Sequence, residues 1–156
     1  MRLTYSGLPT AHVHDIKNKG RDSYDLPLEV QTSDGGVHPC RHCLGAVPEG
    51  EPYLILAHRP FDGLNAYTET GPIFLCAGDC APYAGGDVVP ETLVSPTYLV
   101  RGYTGDERIK YGTGSVVPRN DIMAYAARVL DDPEIGFVDV RSAMNNCWQG
   151  RITRGD

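Results

Sequence analysis

Thr97-Tyr98-Leu99-Val100-Arg101-Gly102-Tyr103 is followed, across Thr104-Gly105-Asp106, by Glu107-Arg108-Ile109-Lys110-Tyr111. Two runs rich in β-branched and aromatic residues around a Gly-containing turn read as a β-hairpin. Just downstream, Ile122, Ala126, Val129 and Leu130 stand at helical spacing between Asn120, a capping residue, and Pro133, which cannot continue a helix. This predicts a helix over 120–130, and strands are expected near 135–141 and 147–152, joined by Ser142–Asn146. Upstream, residues 50–58 and 72–76 read as buried strands on either side of a polar loop from Arg59 to Thr70. A second loop, rich in Gly and Pro, runs from Ala77 to Pro96. A short helix is expected after Gly7, with Leu8, His12 and Ile16 near helical spacing and Gly20 at its end. The expected fold is α+β: a single β-rich domain over 1–156, with a mostly antiparallel sheet, one or two packed helices and long Gly/Pro-rich loops. Residues 1–37 are its least defined segment.

Composition agrees with that picture. In 156 residues, 18 Gly and 12 Pro favour turns over long helices. The hydrophobic share of 41% and charged share of 22% are those of a globular chain. The formal charge of −6 is the wrong sign for non-specific nucleic-acid binding or for an anionic membrane surface. The longest apolar run, Leu54-Ile55-Leu56-Ala57, is far below the roughly 20 residues of a membrane span. Met1–Pro9 lacks the apolar core of a secretory signal, so the expectation is a soluble, cytoplasmic protein. The sequence leaves its oligomeric state open.

Five cysteines in a reducing compartment point to metal ligation or reactive thiols rather than to a disulfide framework. Cys40-Arg41-His42-Cys43 is a C-x2-C pair, and Cys76-Ala77-Gly78-Asp79-Cys80 is a C-x3-C pair after an interval of 32 residues. Two short-spaced pairs on turns suit tetrahedral Zn²⁺, because each turn folds two sulfurs toward one point. The leading reading is therefore one zinc per chain, held by Cys40, Cys43, Cys76 and Cys80. Arg41 and His42 would ease the charge of four thiolates, and His38 and His42 are substitute ligands. Two alternatives share these residues: small buried hydrophobes in the core, and a thiol-redox module using Cys40 and Cys43.

A competing enzyme or binding reading uses other residues. Arg101 and Arg141 end apolar strands, where planar guanidiniums can hold a carboxylate or phosphate at the sheet rim. With Tyr103 and Glu69 they would frame a pocket for a small anionic ligand. Internal salt bridges to Glu69, Asp106 or Asp139 are the plainer expectation. Cys147 opens the last strand beside Asn145 and Asn146, which would supply donors to an oxyanion. It is the candidate nucleophile, and His58 the candidate base. Simple packing of Cys147 is again the plainer reading.

Four blocks carry a family likeness: Pro39–Leu44, Thr68–Leu75, Leu99–Tyr103, and Val140–Ala143 leading into Asn145–Cys147. On these blocks the chain resembles, from about Gly7 to Arg154, the small and mostly bacterial proteins known as domain of unknown function 1203. The resemblance implies no defined activity. It implies that Cys40 and Cys147 have counterparts widely, whereas Cys43 and the Cys76/Cys80 pair belong to a subset, with histidine as the alternative at position 76. It also marks two departures, Gly150 where relatives often read Cys and Asp139 where they often read His. Both favour a packing role for Cys147.

Overall fold

Along Ile135–Ser142 the side chains alternate between two chemistries, and that alternation divides the molecule. Val138 and Val140 point into an apolar core, while Phe137, Asp139 and Arg141 point to the opposite face. The computed structural model describes residues 1–156. In chain order it contains β1 (Leu3–Ser6), α1 (Thr10–Lys19), β2 (Glu29–Thr32), β3 (Pro52–His58), β4 (Gly71–Cys76), β5 (Thr97–Thr104), β6 (Ser115–Pro118), α2 (Ile122–Leu130), β7 (Ile135–Ser142) and β8 (Trp148–Arg154). The strands form two antiparallel sheets, one of five strands in the order β1-β8-β7-β5-β6 and one of three in the order β2-β3-β4. The architecture is α+β, as expected, with two sheets in place of one. No helix is long and apolar enough to cross a membrane.

The larger core lies between α2 and one face of the five-stranded sheet. Ile122, Ala126 and Leu130 are buried one helical turn apart and meet Val100, Val138, Val140 and Ile152. The helix begins through a 3₁₀ turn at Arg119–Asp121, so its N-cap is Asp121 and not Asn120, and no side-chain capping bond forms. Arg119 instead anchors this turn by donating to the carbonyls of Leu93 and Pro90. Val129 packs over Gly102, where a Cβ would lie 2.8 Å from its Cγ1.

The smaller core joins α1 to the three-stranded sheet. Leu8, Val13, Leu54, Leu56, Ile73 and Leu75 bury there, together with Cys40 and Trp148. Helix α1 ends as its sequence predicts: Gly20 adopts φ 64° and donates its N–H to the carbonyl of Ile16.

The hairpin expected between 97–103 and 107–111 is the clearest correction. The chain does turn at Thr104–Glu107, with Glu107 at φ 65°, but residues 107–111 make only an isolated bridge at Tyr103–Ile109. The Thr113 hydroxyl accepts from Gly102 N–H and bonds the Lys110 carbonyl, interrupting the ladder. Pairing resumes further on, where β6 runs from Val100–Ser115 to Thr97–Pro118. Strands β1 and β2 lie in the segment that the sequence left undefined. β1 pairs with β8 across nearly the whole chain, in a register running from Leu3–Arg154 to Ser6–Arg151.

Gly150 on β8 makes room for Tyr5, since a Cβ there would stand 2.7 Å from the phenol oxygen. The Tyr5 ring is fully buried and its sheet partners leave little freedom to move. Gly150→Ala is therefore expected to destabilise the fold by about 1–3 kcal/mol through overpacking, read as a lower urea midpoint at an unchanged slope.

Candidate functional site

The sulfurs of Cys40, Cys43, Cys76 and Cys80 all lie within 4.8 Å of one another. Local backbone chemistry builds the first half of this cluster. Pro39 and Ala46 bridge as a narrow loop, Cys40 N–H donates to the Gly45 carbonyl, and Leu44 takes φ 57° to close the turn. Inside the loop, His42 N–H donates to Cys40 Sγ and Gly45 N–H donates to Cys43 Sγ, each at 3.4 Å. The second half comes from the end of β4: Cys76 is its last residue, and Cys80 follows four positions later. A short parallel bridge between Cys40 and Phe74 locks the loop onto β4.

His42 belongs to the outer layer of the cluster. Its Nδ1 lies 3.1 Å from Cys80 Sγ and its Nε2 lies 2.8 Å from the Thr10 hydroxyl on α1. This geometry fits a neutral imidazole that donates Nδ1–H to sulfur and accepts from Thr10. Burial holds its pKa below the ordinary value, which agrees. His38, by contrast, bonds Asp34 at 2.9 Å and stacks on Tyr53, so it is no substitute ligand.

The thiols interact strongly. Hydrogen bonding from Cys43, aided by backbone N–H groups, holds Cys40 down to about 4. Cys43, donating to that thiolate, is pushed far up, while burial and the Cys40 charge push Cys76 up to about 12. Burial and the same charge also raise Cys80. One thiolate thus forms easily and suppresses the other three, an opposition that a cation at the centre would relieve. Cys40 is buried in the smaller core, and the other three cysteines are partly buried at its edge. No helix follows Cys43, so Cys40 lacks the helix N-terminus that activates many C-x-x-C thiols.

A second constellation covers the other face of the five-stranded sheet, beneath the Arg59–Thr70 loop. Asp139 is fully buried and accepts from Arg151 at 2.7 Å and 3.0 Å. The Arg151 guanidinium lies 3.7 Å from the centre of the Phe137 ring, with Phe61 also at hand. Glu69 reaches in from the loop, and its Oε2 alone serves both Arg101 at 2.9 Å and Arg141 at 2.6 Å. The internal-salt-bridge expectation for Glu69 describes this arrangement, whereas Asp139 pairs with Arg151.

Beside these ion pairs opens a cleft of about 370 Å³ lined by His58, Glu69, Arg141, Asn145, Asn146 and Trp148, among others. Arg101 and Tyr103 do not line it; the Tyr103 ring is buried and stacked on Phe137. Trp148, the sole tryptophan, had no place in the sequence reading. The signal available was the need of a buried indole N–H for a partner, which it lacks here.

Cys147 and His58 are not brought together. Arg141 pairs across with Trp148, which puts those two on one face of the sheet and leaves Cys147 on the other. The Cys147 side chain lines a separate groove with Arg41, Phe74 and Tyr98, while His58 lines the cleft with Arg141. The Cys147 N–H donates to the Ser142 hydroxyl, closing the Ser142–Cys147 turn.

The fold and cluster define a class: a two-sheet α+β protein with four cysteines gathered at metal-binding distance. The chain matches the model of a protein family of unknown function, DUF1203, over residues 37–154, and it belongs to that family. No curated protein and no solved structure matches it.

His58 offers a pH test of the cleft. Burial, with His12, Arg59 and Arg151 nearby, pulls its pKa from 6.5 down to about 4. The unfolded chain therefore binds a proton that the folded chain refuses, and stability falls as pH drops from about 6.5 through 4. His58→Gln is expected to flatten that part of the stability–pH curve relative to the native chain, measured by urea unfolding at stepped pH.

Proposed function

We propose that this protein is a zinc-binding domain whose metal centre is structural. The observation that carries the reading is the spacing of its sulfurs. A regular tetrahedron with Zn–S bonds of about 2.3 Å has S···S edges of about 3.8 Å, and Cys40 Sγ lies 3.8 Å from Cys80 Sγ. The donor set also fits. Four thiolates match a borderline-soft divalent ion and leave no position for a water or substrate, which is the pattern of a closed site. The N–H groups of His42 and Gly45 and the imidazole of His42 already face the sulfurs, as outer-layer donors that temper thiolate charge do elsewhere.

Such a metal would clamp the 39–45 loop to the end of β4 and to the start of the long 77–96 loop. Gly makes the loops of this half of the chain costly to order, and metal binding would offset that cost directly.

Protein purified without chelator is expected to carry one zinc per chain by elemental analysis. Cys40→Ser with Cys80→Ser should lose both the metal and thermal stability, and a strong chelator should lower the melting temperature of the native chain. Metal-free native protein whose melting is indifferent to chelator would overturn the proposal. His42→Ala, which removes the donor to Cys80, should weaken zinc binding by about 10–100-fold in a competition titration while leaving the stoichiometry at one.

A further inference from the structure

On the polar face of the five-stranded sheet, three guanidiniums (Arg101, Arg141 and Arg151) meet two carboxylates (Glu69 and Asp139). This layer carries one surplus positive charge. Asp139 and Arg151 satisfy each other through two bonds, so the surplus rests with Arg101 and Arg141. They share a single oxygen of Glu69, which accepts a hydrogen bond from Arg101 but only lies close to Arg141 Nη2, and the Nε atoms of both arginines have no hydrogen-bond partner. Two more nitrogens without partners, His58 Nε2 and Trp148 Nε1, belong to residues lining the same cleft as Arg141. His58, Arg141 and Trp148 are each more than nine-tenths buried. Unmet donors in such a place cost about 1–3 kcal/mol each, and native proteins rarely leave several together unmet.

We infer that this cleft binds a small monocarboxylate, which takes the place that the Glu69 carboxylate holds against Arg141. Glu69 itself shows that the arginine pair accepts a carboxylate. It does so poorly, through one oxygen, from a loop side chain that is one-third exposed. A free carboxylate would present two oxygens to the planar fork of Arg141. Trp148 can only donate, and neutral His58 can donate from Nε2, so both suit an oxygen-rich ligand. A monoanion replaces the single charge of the displaced Glu69 like for like, which a phosphate dianion does not. A volume of about 370 Å³ lies at the small end of ligand pockets, which run from about 300 to 1,000 Å³. Only one of the ten lining residues is hydrophobic, and Thr70, Asn145 and Asn146 at its edge suit a hydroxyl next to the carboxylate. This inference is independent of the metal centre.

The chain supplies its own reporter, because Trp148 is its only tryptophan and its indole N–H gives one resonance in a ¹⁵N–¹H spectrum. The full-length protein is titrated with glycolate, with its neutral isostere glycolamide, and with inorganic phosphate. Glycolate is expected to move the indole resonance saturably, and the other two should not. Glu69→Gln, which removes the competing charge, should tighten glycolate binding several-fold. Arg141→Lys, which keeps the charge but loses the fork, should weaken it about tenfold. The inference is overturned by glycolamide or phosphate binding as tightly as glycolate, by weaker binding in Glu69→Gln, or by no saturable shift in either the native chain or Glu69→Gln. The native and Glu69→Gln proteins decide the matter even where Arg141→Lys fails to fold.

Discussion

The buried guanidinium of Arg41 is the joint on which the two halves of this protein turn. Its Nε donates to the Trp148 carbonyl at 2.6 Å and its Nη1 to the Pro39 carbonyl at 2.7 Å. The backbone of the same residue donates to Phe74 of β4 and accepts from Leu8 ahead of α1. One residue inside the cysteine loop thus touches the three-stranded sheet, the five-stranded sheet and the segment joining β1 to α1. A charge taken out of water is costly, and here it is matched by carbonyls rather than by a carboxylate. Burial pulls the Arg41 pKa below the ordinary arginine value, and the sulfurs of Cys147 and Cys40 nearby act in the opposite direction. The cysteine loop is therefore less an appendage for a metal than the place where the sheets are tied.

Much of this was legible in the residues. The runs at 50–58 and 72–76 became β3 and β4 because continuous apolar stretches between turn residues have few other solutions. The periodicity of Ile122, Ala126 and Leu130 located α2 to within two residues. The paired cysteine spacings foretold a cluster because turns of that length bring sulfurs together whatever the fold around them. What escaped was whatever depended on distant partners. β1 and β2 are only four residues each and exist because β8 and β3 offer them edges. The ladder opposite β5 moved from 107–111 to 115–118 through one hydroxyl, that of Thr113, whose effect no local pattern displays. Of the salt bridges expected for Arg101 and Arg141, the one to Glu69 forms, whereas Asp139 takes Arg151, a partner on the neighbouring strand that no local pattern displays.

Gly150 and Asp139 each have a definite place in the packing. Gly150 leaves the space that the Tyr5 ring fills. Asp139 supplies the buried charge that Arg151 chelates above Phe137. In this chain both positions serve the packing of β7 and β8, and neither supplies a partner for Cys147.

The long 77–96 segment forms no helix or strand, yet it is held in place from outside. Tyr83 N–H donates to the His42 carbonyl, the Thr92 hydroxyl donates to the Leu44 carbonyl, and Gly86 accepts from Tyr5 of β1. Two of these moorings sit within the cysteine loop itself, and Cys80 is the segment's own contribution to the cluster. The order of this stretch is accordingly borrowed from the shape of residues 40–45. Whatever loosens that loop exposes a length of backbone suited to the active site of a protease, so the cysteine cluster also sets how long the folded chain survives among peptidases.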